Sequence, residues 1–260
     1  MTAESRRRFA DTMRATEPDL GLACLLIGAE MFPDLDVAPS LALLDSLAET
    51  AAPYMIAGEE AAGLRHALAD DAGFRGYGDD YADLRASLLH EVLRRRRGLP
   101  ILLSVVYLEV AKRLGVPAAG IGLPGHFVVE VAGRLVDPFY GGRLVSRPEL
   151  ASRLNADLTD DDFAPWPATA IVSRVLANIR AASTRHDRLR TRLWAVELSM
   201  LVPHHSLLLR KERGEILVQL GDYLAGAFEL EAYADAVASA DPEAADHALR
   251  NARMSRARLS

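Results

Sequence analysis

From Pro100 to Leu114 the chain is a run of Leu, Ile, Val and Tyr with few polar interruptions, and Gly115 ends it. Proline costs nothing at a first helical position, where the missing N–H has no partner to lose, so the pattern predicts a buried helix opened by Pro100 and stopped by Gly115. An extended stretch begins at Val116-Pro117. The runs Phe127 to Val131 and Arg134 to Val136 are β-branched and apolar, and Ala132-Gly133 between them suits a tight hairpin. Antiparallel pairing sets the start of one strand beside the end of the next, so His126 and Asp137 are expected within hydrogen-bonding distance. A carboxylate in that place fixes the ring tautomer and stabilises an imidazolium.

Helical spacing dominates elsewhere. Leu20, Ala23, Cys24 and Ile27, then Leu41, Leu44 and Leu47, recur at helical intervals and are broken by Pro33, Pro39 and Pro53, which predicts an all-helical region over 1–71. After a loop from Gly73 to Gly78, Leu84, Leu88, Val92 and Leu93 predict another helix, ending in Arg94 to Arg97 and Gly98. This helix, the Pro100 helix and the hairpin make up an expected core over 72–150. The chain then turns acidic and proline-bearing, with Asp160, Asp161 and Asp162 before Phe163, Pro165 and Trp166, and 151–167 reads as a linker. Helices return over 168–260. There, Arg213-Gly214 followed by Leu220-Gly221-Asp222-Tyr223 resembles a tetratricopeptide unit, with a small residue in the first helix and a Gly-Asp-Tyr entry to the second. A fainter unit runs from Ile171 to Pro203, with His186-Asp187-Arg188 at its turn. Repeat cores ordinarily need at least three units, so these two are expected to lean on the core or on another chain.

Composition narrows the classes. With 260 residues, half of them hydrophobic, the chain can bury a substantial core as one large domain or two modest ones. A net charge of −6 and a pI near 5.7 argue against nucleic acid as the main partner, because neutralising phosphates requires a positive surface. No stretch has the length of an apolar membrane span, and no apolar segment follows Glu4 and Arg6 to Arg8, so the expectation is a cytoplasmic protein. The single cysteine, Cys24, cannot form an internal disulfide, in keeping with a reducing compartment.

The order of elements, a helix, then His126 on a strand, then Asp137-Pro138 closing the next strand, resembles the transglutaminase-like superfamily. The wording GLPILLSVVYLEVAKRLGVP, PGHFVVEV and VDPFYGG is similar to its SirB-type branch, over roughly Phe74 to Pro148. The resemblance implies an α+β fold: a papain- or transglutaminase-like core with a small antiparallel sheet, preceded by helices and followed by tetratricopeptide-like helices. It implies His126 and Asp137 as base and orienter. Active members of the superfamily carry a nucleophilic cysteine at the amino end of the central helix, where the helix dipole stabilises a thiolate. Here that place falls on Leu99, Pro100 or Ile101, none of which can attack a carbonyl. Ala86 stands where the family tends to show Asn before Ser87.

Each remaining candidate has a structural alternative. The His126/Asp137 pair can be a preserved site or a hydrogen bond that ties two strands. Cys24 lies in an apolar helical stripe and reads as a small buried hydrophobe. Ser104, one turn into the central helix, reads as a residue that fills a tight helix contact or bonds back to the preceding turn, with replacement nucleophile as its alternative. Arg94 to Arg97 complement the dipole of a last helical turn without any ligand. His204 and His205 project in different directions, and His90-Glu91 lacks the second histidine of a zinc-protease helix, so neither suggests a metal. Gly-rich phosphate motifs are absent, and no cofactor is expected. Two functions follow: a non-catalytic, pseudoenzyme-type protein that binds a protein or peptide partner, or a hydrolase or acyl transferase using His126 and Asp137 with an unconventional nucleophile. A His/Asp pair alone moves a proton but forms no covalent intermediate, which favours the first.

Overall fold

The computed structural model describes residues 3–185 and 188–259. It falls into two compact units, Met1–Val175 and Leu176–Ser260.

The first unit begins with helices α1 (Ala3–Arg14), α2 (Leu20–Met31), α3 (Ala38–Ala51) and α4 (Glu60–Arg65), the last running on through a π turn to Asp71. Two 3₁₀ turns, Gly78–Ala82 and Leu84–Ser87, lead to α5 (Leu89–Arg95) and α6 (Pro100–Arg113). The sequence pattern merges the second turn with α5, but the chain is extended at Leu88. The Asp83 side chain accepts from the Arg85 N–H, which closes a short turn in place of a continuous helix. The end of α5 also differs from expectation. Arg96, not Gly98, takes the left-handed conformation, with φ 60°. Gly98 is required for room instead, since a Cβ there would lie 2.5 Å from Val92 Cγ2.

α6 is the spine of this unit. It opens with Pro100 at its first position, and Gly115, at φ 67°, stops it, as the pattern predicts. Ile101 through Tyr107 are all buried. Near its far end the buried Glu109 carboxylate accepts from the Gly21 N–H at 3.0 Å and from Arg113 at 2.6 Å, which joins the start of α2 to α6. A Cβ on Gly21 would stand 2.7 Å from that carboxylate.

Four antiparallel strands follow in the order β1 (Ala118–Leu123), β2 (His126–Val131), β3 (Arg134–Asp137) and β4 (Arg143–Leu144). Ala132 and Gly133, at φ 46° and 78°, make the expected two-residue reversal between β2 and β3. Helix α7 (Arg147–Leu154) and a 3₁₀ turn at Asp160–Phe163 complete one side of the sheet. Leu150 and Phe163 pack there with Ile121, Leu123, Val128 and Leu135. The Trp166 N–H then bonds to the Gly120 carbonyl on the outer edge of β1, and its ring covers Gly122, where a Cβ would lie 2.3 Å away. The stretch 151–167 therefore packs against the sheet.

The division between the units falls inside α8 (Ala168–Arg185). The second unit continues with α9 (Leu189–Ser199), α10 (Leu208–Gln219), α11 (Tyr223–Val237) and α12 (Pro242–Arg256). The turn assigned to His186-Asp187 lies outside the described residues. The Gly214-to-Tyr223 pattern corresponds to an antiparallel pair, α10 and α11, whose backbones meet at two glycines. A Cβ on Gly214 would be 3.0 Å from the Gly226 carbonyl, and one on Gly226 would be 2.9 Å from the Gly214 carbonyl. Val196, Leu209 and Ile216 form one buried cluster, and Tyr233, Ala234, Ala245 and Ala248 form another. Arg213 links three helices, bonding to Glu197 on α9 and Glu229 on α11.

Two predictions follow from this packing. Gly226→Ala forces a methyl to within 2.6 Å of Val218 Cγ2 and against backbone, and is expected to destabilise the chain by about 1–3 kcal/mol, read from thermal unfolding. His90, on α5, is packed against Gly28 of α2 and stands edge-on to Phe32 at 5.2 Å. Burial holds its affinity for a proton below the ordinary value of 6.5, with Glu91 opposing and Arg94 reinforcing the shift. The unfolded chain therefore takes up a proton that the folded chain resists, so stability fully present above 6.5 is lost progressively as the pH falls below 6.5 toward the lower value of the folded chain. His90→Gln should flatten this decline in urea midpoints measured on either side of it.

Candidate functional site

The sheet register explains how His126 and Asp137 meet. Val129 pairs with Val136 and Leu123 with His126, so one step further along the β2–β3 ladder sets Asp137 across from Val128. His126 and Val128 share a face of β2, which makes His126 and Asp137 diagonal neighbours on one face. His126 Nε2 and Asp137 Oδ2 are 2.8 Å apart. Both residues are buried, at 6% and 0% exposure.

A third group, which sequence reasoning did not identify, completes the arrangement. Arg153 on α7 also donates to Asp137 Oδ2, and its guanidinium lies 4.6 Å over the Tyr140 ring. Asp137 Oδ1 is buried without a hydrogen-bond partner among the described residues. A carboxylate engaged by a guanidinium accepts only, so Nε2 of His126 is the donor in this bond. Arg153 lies sixteen residues beyond Asp137 in sequence, in the stretch read as a linker, and no periodicity singles it out.

The turn Pro138–Tyr140 frames the ring. Phe139 stands edge-on to His126 at 6.2 Å and Tyr140 is tilted at 6.0 Å. Gly141 and Gly142, at φ 68° and 67°, let the chain reverse so that the Gly142 N–H bonds to the Asp137 carbonyl. On the other side, the Gly76 N–H bonds to the Phe139 carbonyl and the bare Gly76 Cα admits the Phe139 ring. Tyr81 lies 5.8 Å from Phe139, and burial pushes its hydroxyl pKa up, with Tyr140 and Asp137 adding to the shift. Tyr77, Tyr81 and Tyr140 are each about half exposed, and of these rings Tyr140 lies against the imidazole.

At the head of α6 the positions implied for a nucleophile are apolar and buried. Leu99 is 8% exposed and Ile101 2%, with Pro100 between them, and Leu99 caps the helix without a side-chain hydrogen bond. Ala86 is buried beside this start, its carbonyl accepting from the Leu99 N–H at 3.0 Å. Ser104 is fully buried, and its Oγ has no hydrogen-bond partner among the described residues, so of its two structural readings the bond to the preceding turn is not made. Cys24 is 1% exposed on α2, and burial pushes its thiol pKa far up, with Glu109 and Asp19 adding to the effect.

The arginine run is taken up within the fold. Arg94 pairs with Glu91, Arg95 with Asp83, and Arg97 with Asp79 and Asp80, while Arg96 lies over the Phe74 ring. His205 Nδ1 faces the Val202 carbonyl and His204 takes a left-handed turn. Among the described residues, no group of three His, Cys, Asp or Glu side chains is gathered as a metal site. No helix of the described residues is long and apolar enough to cross a membrane.

Comparison with known proteins finds a family match for each part of the chain. Residues 39–177 match the model described as Transglutaminase-like superfamily, and residues 179–255 match a Tetratricopeptide repeat model. A "UPF0162 protein" of Xylella fastidiosa (strain Temecula1) is 35% identical over 231 residues, 80% of each chain. A protein of the same designation from Pseudomonas aeruginosa is 35% identical over 147 residues, 54% of each chain. The "F-box only protein 21" of Mus musculus is 39% identical over 67 residues, which are 26% of this chain and 11% of that protein. No solved structure matches.

Because its buried thiol stays protonated, Cys24 is expected to resist iodoacetamide at neutral pH in the native chain and to react only on unfolding. Peptide mass spectrometry after timed alkylation checks this. Rapid labelling of the folded chain would contradict the burial of Cys24 on α2.

Proposed function

The chain belongs to the transglutaminase-like superfamily, and we propose that it is a SirB-type member acting as a non-catalytic, pseudoenzyme-type interaction or regulatory protein of the cytoplasm. The observation that carries this reading is the combination of an intact His126–Asp137 bond with buried apolar residues, Leu99, Pro100 and Ile101, at the head of α6. A base and its orienter without a nucleophile can shuttle a proton, but they cannot build the acyl intermediate on which the cysteine enzymes rely. In this reading the core over 72–150 keeps the site as a binding element, and the helices over 168–260 add a surface for a protein or peptide partner. The match of residues 179–255 to tetratricopeptide repeats supports that assignment. His126 and Asp137 then serve to hold the strand ends and to present one edge of the imidazole.

Generic amide and ester substrates are expected to turn over only at background with the native chain, with His126→Ala and with Asp137→Asn. His126→Ala should instead lower stability or weaken partner capture. Turnover by the native chain that disappears in both variants, with both still folded, overturns the proposal. A trapped acyl adduct on Ser104 would then identify the hydrolase or acyl-transferase alternative.

A further inference from the structure

We propose that Arg153 is a positioning residue that occupies the charge of Asp137, so that the carboxylate fixes the tautomer of His126 without drawing a proton onto it. The inference deepens the proposed function and rests on it, since it assigns the preserved pair a binding chemistry.

A histidine becomes an effective base when the carboxylate behind it stabilises the imidazolium that forms. At this site the same oxygen, Oδ2 of Asp137, also accepts from the Arg153 guanidinium. An arginine is always charged. A second proton on His126 would place two cations on one buried anion, and at low local dielectric the repulsion between them is poorly screened. The neutral ring avoids this conflict. It keeps its Nε2–H on Asp137 and leaves Nδ1 as an acceptor, on a ring that stands 6.0 Å from the half-exposed Tyr140 ring. The chemistry suits an uncharged hydrogen-bond donor, such as a peptide N–H or a hydroxyl, laid against aromatic surface.

The other charges nearby do not replace this effect. Tyr81 and Tyr140 carry hydroxyls that burial and proximity to Asp137 keep protonated in the case of Tyr81. On the α6 side, Tyr107 is buried near Arg65, Asp70 and Asp137, and burial raises its hydroxyl pKa. Arg65 is paired with Asp70 at 2.9 Å. Arg153 has Asp137 as its carboxylate partner among the described residues and is held in place by Tyr140. Its alignment depends on α7, which Leu150 anchors in the cluster beneath the sheet.

Nitrogen-15 NMR of the histidine rings in the full chain tests the proposal, with the His126 signals assigned by their loss in His126→Gln. At neutral pH the native His126 is expected to show the two well-separated nitrogen shifts of a neutral Nε2–H ring. Arg153→Gln keeps an N–H donor for Asp137 but removes the charge, and should move both nitrogens toward the shared imidazolium position. Arg153→Lys keeps the charge and should retain the native pattern. An imidazolium spectrum in the native chain overturns the proposal without recourse to any variant. Identical spectra in native, Gln and Lys forms overturn it as well. Catalytic turnover by a native chain whose His126 reads as neutral would sink the pseudoenzyme reading while leaving the role of Arg153 in place, so the two failures are distinguishable.

Discussion

A carboxylate with no exposure to water is the constraint around which the first unit is organised. An isolated buried anion costs several kcal/mol, and it is tolerated only when donors reach it with good geometry. For Asp137 those donors come from two elements, His126 at the start of β2 and Arg153 on α7. The β2–β3 register, the two-residue reversal at Ala132-Gly133 and the seating of α7 on the sheet must therefore all be right together. Phe139 and Tyr140 then close over the histidine because the glycines at 141 and 142 let the chain turn back. In such an arrangement the chemistry of the site and the stability of the fold are not separable.

The same solution recurs in the second unit at lower burial. Glu212 on α10 lies between Arg180 and Arg192, and Arg213 on α10 lies between Glu197 and Glu229. Each joins helices through a charge shared by two partners. Such networks fix the order and tilt of helices more than they add raw stability, since desolvation offsets much of the Coulombic gain. The tight contact at Gly214 and Gly226 does the complementary work, by letting backbones approach where any side chain would hold them apart.

What could be read from the sequence was what local pattern encodes. Pro100 and Gly115 bracket α6 because proline and glycine have fixed meanings at helix ends, and Ala132-Gly133 marks the hairpin for the same kind of reason. The meeting of His126 with Asp137 was legible because a two-residue turn leaves few registers. Arg153 was not, because its contact depends on where α7 lands, and no period along the chain records that. Arg96 in a left-handed conformation was hidden for a similar reason: glycine is the usual signal, and here Gly98 serves close packing against Val92 instead. The arginine run shows the limit of composition. Four adjacent cations look like a surface patch until their partners, Glu91, Asp83, Asp79, Asp80 and the Phe74 ring, come from three separate segments.

The sheet of the first unit also has a bearing on association. An unpaired strand edge is a template on which another extended chain can add itself, and proteins guard against that. Here the outer edge of β1 is partly taken by the Gly120–Trp166 bridge, and the opposite edge is β4, only two residues long. At the β4 border, strand addition therefore offers a visiting peptide few hydrogen bonds. The same economy protects the chain from edge-to-edge aggregation while its core is built from some of its most β-prone residues.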